Sequence, residues 1–109
     1  MGLVKSEIFT EKQNKISQLA KAFAHPARVA ILQHIFNTNT CICGDLVEEI
    51  GLAQSTISQH LKELKNIGLI TGNIEGTSVC YCIDNTKWSE MKNTLYQFLN
   101  QDILNNNCC

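Results

Sequence analysis

The chain has 109 residues, 44% of them hydrophobic and 17% charged, with a formal net charge of −1. That size fits one small domain, and no apolar run approaches the ~20 residues of a membrane span. A near-neutral balance excludes a generally basic nucleic-acid binder, so any DNA contact has to come from a local face.

Met1 to Lys5 lead into a charged stretch, which does not read as a signal peptide. Residues 5–24 place Ile16, Leu19, Ala20 and Phe23 at helical spacing, and His25-Pro26 punctuates the pattern. Pro26 suits the first position of a second helix, whose apolar stripe runs through Val29, Leu32 and Ile35 or Phe36. Asn37 to Thr40 form a polar loop. A short helix is expected from about Cys43 to Ile50, a turn at Gly51-Leu52, and a further helix from Gln54 to Asn66 that Gly68 stops. Residues 69–74 and 77–83 read as two strands of a hairpin around Glu75-Gly76, with Gly72 as a possible bulge site. A last helix spans 86–104 with Trp88, Met91, Leu95, Phe98 and Leu99 as its stripe, and residues 105–109 form a polar, flexible tail. The expected fold is mainly α with a small β-hairpin: one winged helix-turn-helix domain over 1–109, with extra N- and C-terminal helices as the dimer surface.

On the 54–66 helix, Ile57, Leu61 and Leu64 fall on one face, leaving the opposite face to the groove of DNA. Gln54, Ser55, Thr56, Ser58, Gln59 and Lys62 are the candidate DNA-binding residues. Ser55, Thr56 and Gln59 suit base edges, and Lys62 suits phosphate. His60 lies nearer the apolar face and reads as a packing histidine. The wing turn, Asn73 to Ser78, carries no Lys or Arg and cannot act as a basic clamp.

The six cysteines come as three close pairs: Cys41/Cys43, Cys80/Cys82 and Cys108/Cys109. Without a secretory leader, metal or redox chemistry is favoured over a disulfide framework. Cys41 and Cys43, one residue apart, put both sulfurs on one side of an extended backbone and can chelate a soft ion. A helix starting beside them should lower their pKa. Trivalent arsenic or antimony wants a third thiolate, for which Cys108 and Cys109 are the candidates. Cys80 and Cys82 alternate along a strand and read as small hydrophobes filling one face. A thiol enzyme would need an anion-binding loop or a Cys-x-x-Cys on a βαβ unit, and neither is present.

The segment Phe23 to Leu32, the Cys41-Ile42-Cys43 pair with Asp45-Leu46, and Gln54 to Leu64 together resemble the ArsR/SmtB family of metal-responsive repressors, arsenic-repressor type. The resemblance covers roughly residues 15–85. It implies a homodimeric cytoplasmic repressor, not an enzyme, with no cofactor and no membrane partner. Such a protein holds operator DNA until As(III) or Sb(III) binds as inducer at cysteine thiolates, here Cys41, Cys43, Cys108 and Cys109. A Cd(II) or Pb(II) sensor, or a thiol-redox or persulfide-responsive repressor of the same fold, is the alternative. The family's other regulatory site, of Asp and His on the last helix, is missing, since residues 86–104 hold no histidine. Two positions depart from the family pattern. Gly44 separates the thiol pair from Asp45, and Ala53 stands where a Ser cap is usual, so that Ser55 could cap a later start.

Overall fold

In a computed structural model, residues 8–44, 46–75 and 78–103 are described, with the side chains of 73–79 left aside. The first helix, α1 (Glu11–Ala20), starts later than its apolar spacing suggests because Thr10 and Gln13 form a capping box. The Thr10 hydroxyl accepts from the Gln13 amide at 3.0 Å, and the Gln13 side chain accepts from the Thr10 amide at 2.9 Å. A 3-10 turn, Lys21–Phe23, then leads to α2 (Pro26–Asn37). Pro26 occupies the first turn as expected, and the His25 ring nitrogen Nδ1 accepts the Ala27 N–H as the cap.

The segment after α2 differs from the sequence expectation. Cys41–Cys43 form a strand, β1, and the helix α3 covers only Leu46–Ile50. Two things favour the extended form. The β-branched Ile42 is buried between exposed Cys41 and Cys43, an alternation of period two that a helix cannot satisfy. Gly44 then turns the chain with φ +89°, a conformation that carries no penalty without a Cβ.

Gly51 to Ala53 connect α3 to α4 (Gln54–Ile67), which Gly68 closes in the left-handed conformation. The hairpin strands are β2 (Ile70–Glu75) and β3 (Ser78–Ile83), followed by α5 (Asn85–Leu99), which Asp84 caps at the Lys87 amide. The C-terminal helix therefore ends short of residue 104, which lies outside the described residues. The sheet is three-stranded and antiparallel in the order β1-β3-β2. No bulge occurs at Gly72, which pairs in register with Tyr81. A side chain at 72 would meet the Tyr81 ring at 3.1 Å, so the missing Cβ lets the ring lie over the strand.

Ile31 and Ile35 of α2, Ile57, Leu61 and Leu64 of α4, and Leu69, Ile70, Ile42 and Ile83 of the sheet side share one core. Each such side chain contributes about 1.5–3 kcal/mol by leaving water. The stripe on α2 is Ala27, Ile31, Leu32 and Ile35, whereas Val29 and Phe36 face outward. Trp88 of α5 meets the Phe36 ring edge-on at 4.8 Å and the Phe23 ring at 6.4 Å, which lays α5 against α2. Helix, turn, helix and hairpin make a winged helix-turn-helix, flanked by α1 and α5. No helix among the described residues is long and apolar enough to cross a membrane.

Helix α4 begins at Gln54 with Ala53 as an N-cap in extended backbone and no side-chain bond to the first turn, so Ser55 does not delay its start. Ala53→Ser should add such a bond and stabilise the domain by about 0.5–2 kcal/mol. Urea unfolding should show a higher midpoint at unchanged slope; an unchanged or lower midpoint would contradict this account of the cap.

Candidate thiol cluster and DNA-reading helix

Strand β1 lies antiparallel against β3 with Cys41 opposite Cys82, Ile42 opposite Tyr81 and Cys43 opposite Cys80. The Ile83 N–H donates to the Thr40 carbonyl at 2.8 Å. That contact makes 40/83 a hydrogen-bonded position, so 41/82 and 43/80 fall at the intervening positions, where facing side chains stand closest. The Cα separations are 4.0 Å and 4.1 Å, and both pairs are joined sulfur to sulfur. Four cysteines from two distant segments therefore share one face of the sheet, turned away from Ile42 and Ile83. Cys41 and Cys43 are exposed, Cys82 is half-buried and Cys80 is buried at 5%.

Thr40 and the preceding Asn39 hold positive φ, 68° and 56°. For a β-branched residue this is a costly conformation, on the order of 1–3 kcal/mol. It is held by the Thr40 amide, which donates to the Ile35 carbonyl at 3.0 Å, and by the Ile83 contact on its carbonyl. The last turn of α2 and the sheet thus aim β1 from both ends.

Helix α4 presents Gln54, Ser55, Ser58, Gln59 and Lys62 to solvent, with Thr56 half-buried. The Gln54 amide donates to the Ser58 hydroxyl at 3.1 Å, so these two side chains brace each other on the outer face. Ile57, Leu61 and Leu64 are buried on the inner face, which fixes the helical phase read from the sequence.

Residues 25–71 match the family described as bacterial regulatory protein, arsR family. Over 82 residues the chain is 35% identical to an uncharacterized HTH-type transcriptional regulator of Methanocaldococcus jannaschii, covering 74% of this chain and 91% of that protein. This chain belongs to the ArsR family. Among solved structures, HlyU from Vibrio cholerae N16961 matches with TM-score 0.66 and 29% identity, over 85% of this chain and 100% of HlyU. The cadmium metal-sensor CMTR from Mycobacterium tuberculosis matches with TM-score 0.55 and 28% identity, over 86% and 96%. The chain spans 63% and 47% of the length of two further mycobacterial regulators that it matches. The sequence relatives carry the names of HTH-type transcriptional regulators or repressors, and the ArsR-family member described here is a transcriptional regulator.

Two sequence expectations about the thiols change with the structure. Cys43 does not open a helix: it ends β1, and the five-residue α3 starts three positions later at Leu46. Cys80 and Cys82 are not fillers of a strand face: they are the partners of Cys43 and Cys41. Cys108 and Cys109, named as further ligands, lie outside the described residues. The signal for the missed pair was the equal spacing of the two Cys-x-Cys segments. It identifies a pairing only once β1 is known to be a strand.

His60 sits on the inner edge of α4, 9% exposed. The Arg28 guanidinium Nε donates to its Nδ1 at 3.2 Å, and the His25 ring lies 4.5 Å away. Arg28 also donates to the Lys21 carbonyl. Burial, then the charges of His25 and Arg28, lower the pKa of His60 below 6.5. The neutral ring is the form that accepts from Arg28, so the packing reading of His60 acquires a partner on α2. The unfolded chain protonates His60 near 6.5 and the folded chain only at lower pH. Its contribution is complete above 6.5 and is lost as pH falls below that value. Wild type should therefore lose more stability than His60→Gln between pH 7.5 and 5.5, measured by urea midpoint; equal losses would remove His60 from the acid response.

Proposed function

We propose that this protein is a homodimeric repressor that reads operator DNA with α4 and releases it when a soft metalloid, As(III) or Sb(III), is taken by thiolates of the β1/β3 cluster. The carrying observation is the register that sets Cys41 and Cys43 against Cys82 and Cys80. Trivalent arsenic and antimony are soft centres that bond to three sulfurs in a pyramid, leaving a lone pair on the open side. Once the two bridges are reduced, Cys41, Cys43 and a facing cysteine of β3 would offer three sulfurs from one sheet face, a ligand set that does not call on Cys108 or Cys109. The likeness to a protein titled a cadmium metal-sensor supports a soft-ion input. An ion held between β1 and β3 would tie the wing hairpin to the strand that leads into α3 and α4, so the signal reaches the reading helix through the sheet.

Dimerisation is supported by apolar side chains left in water on the flanking segments. Tyr96, Phe98 and Leu99 of α5 are 61%, 45% and 75% exposed, and Ile8 and Phe9 ahead of α1 are also exposed. The Cα radius of gyration, 17.1 Å, exceeds the ~13 Å of a compact chain this long. A second copy would cover them and set two reading helices on successive half-sites.

Cys41→Ser and Cys43→Ser should keep operator affinity and lose release by As(III), and Cys82→Ser should weaken As(III) binding. A coupling of ~1–3 kcal/mol corresponds to 5- to 150-fold weaker DNA binding in the wild type. Deleting residues 105–109 should leave this response in place. Loss of release on that deletion would return the third ligand to the tail, and release by Cd(II) but not As(III) would overturn the metalloid assignment.

For the DNA face, Ser55→Ala and Gln59→Ala should each cost up to ~1–3 kcal/mol on the operator and relax sequence preference. Lys62→Ala should weaken all DNA alike and flatten the salt dependence. A binding series over salt separates the two behaviours, and unchanged affinity in all three variants would refute the assignment of this face.

A further inference from the structure

We infer that the same four cysteines are an oxidation site in which two specific bridges, Cys41–Cys82 and Cys43–Cys80, form inside one chain in response to a hydroperoxide. Both bridges are closed in the structure, as the register favours, and the roles of their members are argued from an asymmetry of exposure. The two residues of the edge strand, Cys41 and Cys43, face solvent, while the residues they oppose on the central strand are half-buried Cys82 and buried Cys80. An exposed thiol with a shielded partner directly opposite has the arrangement of an attacking and a resolving cysteine.

The chemistry balances with one hydroperoxide per bridge. The thiolate of Cys41 or Cys43 attacks the terminal peroxide oxygen. The O–O bond breaks, an S–O bond forms, and the alkoxide leaves to take up a proton. The sulfur is now a sulfenic acid, oxidised by two electrons, and the peroxide is reduced. The facing thiol of Cys82 or Cys80 then attacks that sulfur, the S–S bond forms, and hydroxide departs with the thiol proton as water. Per bridge, two thiols and a hydroperoxide give a disulfide, an alcohol and water, and a dithiol reverses the bridge by exchange. The register alone sets Cys41 against Cys82 and Cys43 against Cys80, and in the bridged form their Cα atoms stand 4.0 and 4.1 Å apart.

Closing both bridges removes every thiolate that a metalloid needs. The oxidised protein is therefore blind to As(III), a consequence that rests on the metalloid reading, whereas the bridging does not.

The test uses the full chain with Cys108→Ser and Cys109→Ser, reduced and then treated with cumene hydroperoxide. Intact mass should fall by four hydrogens without dimer formation. Adding Cys43→Ser and Cys80→Ser leaves the facing pair 41/82, which should close within the chain. Adding Cys41→Ser and Cys80→Ser instead leaves the offset pair 43/82, which should close at least tenfold more slowly. In a Cys82→Ser variant, dimedone should trap a sulfenic acid on Cys41; in a Cys41→Ser variant it should not label Cys82. Equal closure of facing and offset pairs, bridges formed only between chains, or labelling of Cys82 would each overturn the proposal. Arsenite uptake is measured separately on the bridged and the reduced forms. Equal uptake by both defeats the exclusion. No uptake even by the reduced form defeats the metalloid reading and leaves the bridging intact.

Discussion

The antiparallel pairing of β1 with β3 governs most of what this domain can do. Three residues, Cys41 to Cys43, form the strand, and its partner residues lie 37 and 41 positions away along the chain. Such a short strand gains little from its own hydrogen bonds, so its alignment has to come from its surroundings. Ile42 enters the core on one side, and the left-handed Asn39-Thr40 pair delivers the chain from α2 at a set angle. The carbonyl of Thr40 closes on β3. Burial, a strained turn and this hydrogen bond set which residues face each other, and the two sulfur–sulfur bonds hold that alignment in the structure.

The same pairing joins two functional parts that the chain keeps apart. Strand β1 runs through Gly44 toward α3 and α4, while β3 is the inner strand of the wing. In a winged reader both parts approach the duplex, and their relative placement decides whether a half-site fits. In the function proposed here, a bond between sulfurs of β1 and β3, whether through an ion or direct, would act on that placement without touching the candidate DNA-facing side chains of α4. The opposite side of α4 is secured independently. Arg28 reaches from α2 to His60, and Ile57, Leu61 and Leu64 fill the core, so the reading helix is fixed to α2 while the wing is fixed to β1.

Much of this was legible from residue patterns, and the exceptions have physical causes. The stripe Ile57, Leu61, Leu64 gave the phase of α4 because period 3.6 over fourteen residues is a long signal. Pro26 and Gly68 marked boundaries because each restricts or frees the backbone in a known way. The extended backbone expected for Cys41 and Cys43 is present, but the helix expected from about Cys43 starts at Leu46, because three residues carry too little periodicity to separate a strand from a helix start. The strand character of Cys41-Ile42-Cys43 lives in a partner 37 to 41 residues distant. Cys80 and Cys82 were correctly placed on a strand but left without a role for the same reason. The inner capping box of α1 was present in the sequence as Thr10-Glu11-Lys12-Gln13, and the longer apolar spacing masked it.

The two Cys-x-Cys segments share the two-residue repeat of the sheet, and this has a consequence for alignment errors. If β1 slipped by one residue, its cysteines would turn into the core and Ile42 into water. If it slipped by two in one direction, Cys41 would face Cys80 while Cys43 faced Ser78; in the other, Cys43 would face Cys82 while Cys41 faced Asp84. Each such error leaves one matched pair and two stranded sulfurs. Only the native alignment matches all four at once. The number of facing pairs is therefore a discrete count of strand alignment, in which a misassembled wing scores one or none. A chemistry that needs every sulfur consequently selects for the correctly assembled domain: the cluster verifies the fold that builds it.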